Sequence, residues 1–165
     1  MSAQTSYSQA TPHGVAGGLV DLSARAINTR LNGETGSTMK FGMGVVQGST
    51  PGSDVKIPAA GATVAKFEGI TVNGYTSEMD REGAVTLPPL AALGILQYGK
   101  IWARTKASIA PAYGDALYLI ITGDDAGLFT NAADGGNTVA VSGRFIGGKG
   151  TGNVAPVELF YQANE

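Results

Sequence analysis

The chain has 165 residues, a net charge of -2 and only 15% charged residues. This length suits a single domain with one core. The low charge excludes the polybasic surface that nucleic acid or an anionic membrane would attract. Cys is absent, which excludes disulfides, thiolate nucleophiles and zinc sites built on sulfur.

Glycine punctuates the whole chain. The 25 Gly and 7 Pro are spread along a sequence that is 43% hydrophobic, which is not a disordered composition. Many turns need Gly at positive φ, and long helices with paired Glu and Lys are missing. The composition therefore predicts an all-β domain.

The N-terminal segment differs from the rest. Residues 1–18 are polar and small, with Tyr7 as their only aromatic residue, and contain Pro12 and Gly17-Gly18. We predict an extended N-terminal arm over 1–18, able to touch a neighbouring subunit, followed by a single β domain over 19–165. The simpler alternative is a frayed terminus.

Short strands with glycine-rich turns follow in the first half of the domain. Residues 19–30 fit either a short helix or an irregular strand. Strands are predicted in 37–49, in 63–74 and in 83–89, and the apolar run 90–96 is too short to predict a helix. The segment "DVKIP" alternates Val55 and Ile57 with polar residues, which predicts an exposed edge strand stopped by Pro58.

The clearest alternation lies in "GKIWARTKA". It places Lys100, Trp102, Arg104 and Lys106 on one face of a strand and Ile101, Ala103 and Thr105 on the other. Further strands are predicted in 114–131, in 138–148 and in 154–163. About eight short strands at this spacing predict a small β-barrel or sandwich.

Two glycine motifs imitate nucleotide-binding loops. "GRFIGGKG" has the G-x-x-x-x-G-K spacing, but Lys149 is followed by Gly150 and then by a strand pattern, so the required helix is missing. "GMGVVQG" is one residue too long for a dinucleotide motif. Both motifs are interpreted as turns or bulges.

The sequence also contains no grouping of residues typical of a catalytic or metal-binding site. His13 is the only histidine and lies in the predicted arm, where nothing holds it beside a nucleophile. Asp115, Asp124 and Asp125 lack the dense ligand spacing of a calcium loop and suit turn capping instead. We therefore predict no enzyme activity, no cofactor and no metal.

Two interpretations of Trp102 stay open. The indole can pack across its own sheet under cationic stems, or it can form a contact patch, since Trp and Arg concentrate at interface centres. The candidate partner-binding residues are Tyr7, His13, Lys100, Trp102 and Arg104. The net negative charge disfavours nucleic acid as the partner.

Four motifs in order resemble one family. "KFGMGVVQGSTPGSDVKIPAAG" from Lys40 and "KFEGITV" from Lys66 resemble the first half of tailed-phage structural cement proteins. "YGKIWARTKASIAPAYGDALYLI" from Tyr98 and "GRFIGGKGTGNVAPVELF" from Gly143 resemble the second half. The resemblance covers most of residues 40–161.

This resemblance implies a head decoration protein built on a small β-barrel or sandwich. It implies binding to the outside of the expanded shell, where the protein reinforces joints between major capsid subunits as a dimer or trimer at a symmetry axis. It implies a virion protein made in the host bacterial cytoplasm, with no catalytic site and no cofactor. The low charge separately predicts no nucleic acid and no membrane as partner. The alternative hypothesis is a carbohydrate- or host-surface-binding β domain of a fibre or adhesin.

Overall fold

The computed structural model describes residues 13–36, 38–74, 78–79 and 85–161. In these residues the chain is all-β, as predicted, and its helical structure consists of two three-residue 3₁₀ turns. None of the described helices is long or apolar enough to cross a membrane. The strands are β1 (Ala26–Asn32), β2 (Gly44–Gln47), β3 (Asp54–Lys56), β4 (Phe67–Val72), β5 (Glu78–Met79), β6 (Val85–Thr86), β7 (Ala92–Arg104), β8 (Ala116–Ile120), β9 (Phe129–Thr130), β10 (Thr138–Phe145) and β11 (Val154–Leu159).

Strand β7 organises the molecule because two groups of strands share it. In its first half it pairs with β1 and β4, and the order β1-β3-β2-β4-β7 closes on itself through the β1–β7 pairing. In its second half it pairs with β11, and the sheet continues through β10, β8 and β9. The result is a closed ring of five strands joined to an open sheet, with β7 common to both.

Two hydrophobic clusters fill this arrangement. One lies within the ring and includes Val45 and Ile95, and the other lies against the open sheet and includes Val46 and Leu96. Consecutive residues point to opposite faces of a strand, so each of these apolar pairs contributes to both clusters. Fully burying each such side chain stabilises the fold by about 1.5–3 kcal/mol.

A bulge lets β4 cross β7 closely. The β2–β4 register shifts between Val45 and Val46, opposite Gly69. Gly69 has a φ of 139°, and a Cβ there would overlap the Leu96 carbonyl oxygen. Only glycine combines this backbone conformation with so close an approach.

The edge-strand prediction for "DVKIP" was wrong. Strand β3 lies between β1 and β2, with Asp54 paired to Leu31 and Lys56 paired to Val46. Val55 is 0% exposed. The partner on one side comes from β1, the segment that the sequence left open between helix and strand, so the local alternation contained no sign of this pairing.

Candidate partner-binding surface

The predicted contact residues fall on two parts of the structure. Tyr7 lies outside the described residues. His13 begins the described chain, and Lys100, Trp102 and Arg104 lie in the second half of β7. The structure brings His13 to Trp102, with ring centroids 5.8 Å apart and an interplanar angle of 79°.

The residues after His13 hydrogen-bond to the backbone of β7. Gly17 N–H donates to the Trp102 carbonyl (2.7 Å), and Trp102 N–H donates to the Gly18 carbonyl (2.8 Å). Leu19 then forms an antiparallel bridge with Ile101. These bonds satisfy backbone groups of β7 on the side opposite β11.

Glycine permits this close contact. A Cβ at Gly14 would overlap the Trp102 indole, and Gly17 has a φ of 78°. His13 and Gly14 therefore lie against the indole, which is 9% exposed. Of the two interpretations left open by the sequence, the structure shows a packed Trp102, covered by the chain's own N-terminal residues.

The glycine-rich "GRFIGGKG" segment belongs to the same contact. It is part of the antiparallel β10–β11 hairpin, in which Gly143 pairs with Leu159. A Cβ at Gly150 would lie 2.5 Å from the His13 ring, and the Lys149 ammonium donates to the Ala107 carbonyl. The motif is thus a hairpin loop that leaves space for the arm, and the turn interpretation is confirmed.

Arg104 is held within the fold. Its Nε donates to the Phe41 carbonyl (2.8 Å), and its backbone N–H donates to the Gly42 carbonyl (2.8 Å). Partial burial of the guanidinium lowers the pKa of Arg104 from its ordinary value. This side chain ties the segment before β2 to β7.

Lys100 begins a row of charges across the exposed face. It forms an ion pair with Asp21 at 2.8 Å. The hydrogen bond from Lys100, followed by those from Ser23, lowers the pKa of Asp21 to about 2, and Asp21 in turn raises the pKa of Lys100. On the neighbouring strands, Lys100 pairs in register with Glu158, and Glu158 pairs with Arg144.

Arg144 forms the centre of an aromatic cluster at the end of this row. Its guanidinium makes two contacts with the Glu158 carboxylate, Nη2 at 2.8 Å and Nε at 2.9 Å. The same guanidinium lies over the rings of Tyr113 (5.4 Å) and Phe160 (5.6 Å). Tyr113 is 69% exposed. We call Lys100, Tyr113, Arg144, Glu158 and Phe160 the Arg144 surface.

No local pattern in the sequence places these five residues together. Arg144 and Glu158 lie on the two strands of a predicted hairpin, so the sequence indicated that they could be neighbours. It did not determine the register that pairs them. Tyr113 belongs to no strand and reaches Arg144 only through the fold. Of the five residues, only Lys100 was a predicted contact.

Asp115, one of the three aspartates considered for a metal site, is engaged in hydrogen bonds within the protein. Asp115 accepts from the Ala112 N–H (3.0 Å) and from the Asn131 amide (2.8 Å). The Ala112 hydrogen bond is the main cause of its lowered pKa. Among the described residues, no three His, Cys, Asp or Glu side chains are grouped to hold a metal ion.

Comparison with known proteins gives one family. A family model described as structural cement protein (E217 gp24/Pam3 gp6) matches residues 3–160. A chain from the solved structure titled "The capsid of Myoviridae Phage XM1" shares the fold with a TM-score of 0.67 and 19% identity, over 96% of this chain and 98% of that one. No curated protein matches the sequence.

Proposed function

Because this chain belongs to the phage structural cement protein family and is a capsid-associated structural protein, we propose that it decorates the outer surface of the expanded head. There it stabilises the contacts between major capsid subunits. In this proposal it is made in the host bacterial cytoplasm, associates with copies of itself, and acts by binding without catalysis. The Arg144 surface is the part of this chain that supports the proposal, and it is the proposed contact with the capsid.

The Arg144 surface has the chemistry of an interface centre. Tyr and Arg are enriched among the residues that dominate binding energy. The Glu158 carboxylate and the two rings already hold the Arg144 guanidinium in one orientation. Less side-chain entropy is lost on binding when a group is held in this way, so this surface favours affinity for another protein.

The stabilisation follows from mass action. A protein that binds only the assembled, expanded shell stabilises it at each site by about 2.7 kcal/mol when its free concentration is a hundred times Kd. An oligomer that touches several capsid subunits adds to this effect because its later contacts are intramolecular. No chemical step is needed.

The predicted contact residues take different roles in this proposal. Lys100 contacts the capsid directly as part of the Arg144 surface. His13 and Trp102 fix where the arm leaves the domain, and Arg104 supports β7 beneath them. Residues 1–12, with Tyr7, reach a neighbouring subunit and add backbone hydrogen bonds to an exposed strand edge.

Co-sedimentation with expanded, undecorated capsid shells tests the proposal. We expect saturable binding at a fixed ratio to capsid subunits, and shells that survive more heat. Tyr113→Ala and Arg144→Lys should weaken binding by about tenfold to thirtyfold, because the first removes an exposed ring of the proposed centre and the second removes the planar guanidinium that contacts Glu158 and both rings. Tyr161→Ala is the matched control, since Tyr161 is 79% exposed and lines a cleft that contains no residue of the Arg144 surface.

Unchanged binding of the Tyr113 and Arg144 variants would reject the Arg144 surface as the capsid contact. Absence of any binding by the unmodified protein would reject decoration of the shell altogether. The Tyr161 variant separates a specific contact from a general effect of removing exposed aromatic area.

A cleft near β4 favours carbohydrate binding as a second candidate function. Its volume is about 290 Å³, and its lining includes the rings of Phe67, Tyr98 and Tyr161 with the amides of Gln47 and Gln97. Aromatic walls with a few polar groups are typical of small-molecule sites. Glycan-array binding that Tyr98→Ala abolishes would support this function, and a blank array would exclude it for the sugars displayed.

A further inference from the structure

The chain contains two Asn-Gly pairs, Asn32-Gly33 and Asn73-Gly74. Asparagine is a chemically labile residue, and it is most labile when glycine follows it. The backbone nitrogen of the glycine can then attack the side-chain amide carbon of the asparagine, because no Cβ hinders its approach. The sequence alone does not separate the two pairs, but the fold places them in opposite surroundings.

The Asn32-Gly33 pair is held at both reacting groups. Asn32 is 0% exposed, and its side-chain amide donates to the Leu87 carbonyl (2.9 Å) and to the Pro88 carbonyl (3.1 Å). The Gly33 N–H donates to the Val55 carbonyl (2.9 Å). Hydrogen bonds therefore fix the amide group and the attacking nitrogen of this pair for as long as β1 stays folded.

The Asn73-Gly74 pair follows the end of β4 and is open. Both residues are exposed. Apart from its chain neighbours, a Cβ at Gly74 would meet no described atom within 4 Å, whereas a Cβ at Gly33 would lie 2.6 Å from the Asp54 carboxylate. Within the part of the chain that the structure describes, no backbone carbonyl accepts from the Gly74 N–H. Water and hydroxide can thus reach this pair, and the Gly74 nitrogen can turn toward the Asn73 amide.

We propose that Asn73 is a site of spontaneous deamidation in the folded protein and that Asn32 is not. The Gly74 nitrogen loses its proton to hydroxide and forms a bond to Cγ of Asn73. Nδ2 takes a proton from water, the Cγ–Nδ2 bond breaks, and ammonia leaves a five-membered succinimide. Water then opens either C–N bond of this ring, which gives aspartate or isoaspartate. The net change is uptake of one water and release of one ammonia.

The modified residue lies beside an anchor of the arm. The Asn73 N–H donates to the Gly17 carbonyl (2.8 Å), and the Gly17 N–H donates to the Trp102 carbonyl (2.7 Å). Both products add a negative charge to residue 73. In isoaspartate the charge is a carboxylate on the Cα next to this N–H, close to the partially negative Gly17 oxygen. Deamidation therefore weakens the hydrogen bond that holds the arm at Gly17.

Peptide mapping of the folded protein, sampled during incubation at mildly alkaline pH, tests the site. Cleavage after Lys and Arg places the two asparagines in separate peptides, 31–40 and 67–81. We expect deamidated 67–81 to accumulate about tenfold faster than deamidated 31–40, or faster still, because Asn32 reacts only in locally opened molecules. In urea the two peptides should deamidate at similar rates, which assigns the difference to the fold.

Gly74→Ala is the matched variant. Its Cβ hinders attack by the nitrogen but meets no described atom beyond its chain neighbours, so Tm should be unchanged while deamidation of 67–81 slows severalfold. Equal deamidation of the two peptides in the folded protein, or faster reaction in 31–40, would overturn the inference. So would a Gly74→Ala protein that deamidates at Asn73 as fast as the unmodified protein.

Hydrogen exchange at the Trp102 amide measures the effect on the arm, because this N–H donates to the Gly18 carbonyl. In the deamidated protein, separated by ion exchange, this amide should exchange about threefold to tenfold faster, as expected when one hydrogen bond no longer opposes local opening. The Ile121 amide, which donates to the Asn137 carbonyl, is the internal control and should not change. Equal exchange at Trp102 in both forms would overturn the weakening of the arm. Neither measurement involves capsid shells, so these results are independent of the decoration proposal.

Discussion

Trp102 and Arg144 lie toward the same outer face of the open sheet but meet different surroundings. Trp102 is two residues from Lys100 on β7, and Lys100 connects in register through Glu158 to Arg144. At the Trp102 end, His13 and Gly14 cover the indole. At the Arg144 end, the rings stay open to solvent. An aromatic residue beside cations therefore belongs to the core when another segment of the chain covers it. It is available to a binding partner when no segment covers it.

The two ends of this face have different energetic roles. The covered end contributes to folding, because the indole and the arm bury apolar area and satisfy backbone groups. The open end contributes little to folding, since exposed ion pairs are worth about 0–1 kcal/mol. Its residues are free to contribute to binding.

The largest expected effect is that of Trp102→Ala. Removing a Trp that is 9% exposed should lower the free energy of unfolding by about 3–5 kcal/mol. Tyr113→Ala, at the open end, should cost about 1 kcal/mol or less. Urea unfolding followed by circular dichroism measures both. Equal costs would mean that the two ends are not energetically distinct.

Deletion of the N-terminal arm has the second-largest expected effect on the free energy of unfolding, and two deletion variants measure it. Removal of residues 1–18 breaks the Gly17 and Gly18 hydrogen bonds to Trp102, and should cost about 2–3 kcal/mol from these bonds and the exposed indole. It should also shift the fluorescence of the sole tryptophan to the red. Removal of residues 1–12 should change neither quantity. If both deletions behave alike, residues 13–18 do not protect Trp102.

The smallest effect concerns the pH dependence of the Asp21–Lys100 pair. The folded-state pKa of Asp21 is lowered from 3.8 to about 2. A lowered carboxyl pKa stabilises the fold above the unfolded value, and this contribution is lost as the pH falls through the folded value. Stability should therefore fall between about pH 4 and pH 2, and Asp21→Asn should remove part of this fall.

Lys100→Met is the companion variant for this measurement. It removes the main cause of the lowered pKa of Asp21 but leaves the Ser23 hydrogen bonds, so its acid dependence should lie between that of the unmodified protein and that of Asp21→Asn. The double variant should match Asp21→Asn. Acid unfolding that is identical in all four proteins would show that the pair does not contribute to folding.

Much of the fold could be predicted from the sequence. The glycine and proline distribution indicated many turns, and the alternation in 99–107 identified the second half of β7. The first half was not recognised as strand, because Ile95 and Leu96 are buried on opposite faces and leave no alternation. A strand buried on both sides has no period to detect.

The candidate site could be predicted only in part. The sequence identified Lys100, Trp102 and Arg104 as residues of one strand. It did not show that Trp102 lies under His13, or that Arg104 bonds to Phe41, since both contacts join segments distant in the sequence. The Arg144 surface could be identified only from the register between β10 and β11, which no local sequence pattern determines.

The sequence by itself determined the class of structure, the positions of the turns and the resemblance to a family. These features depend on local backbone preferences and on the order of short motifs, both of which are set by residues close together in the sequence. The tertiary structure decided that β3 is internal, that His13 and Gly14 cover Trp102, and that Arg144 contacts Tyr113 and Phe160. Each of these depends on pairing between distant segments. Such pairing is chosen by the burial and backbone hydrogen bonding of the whole chain.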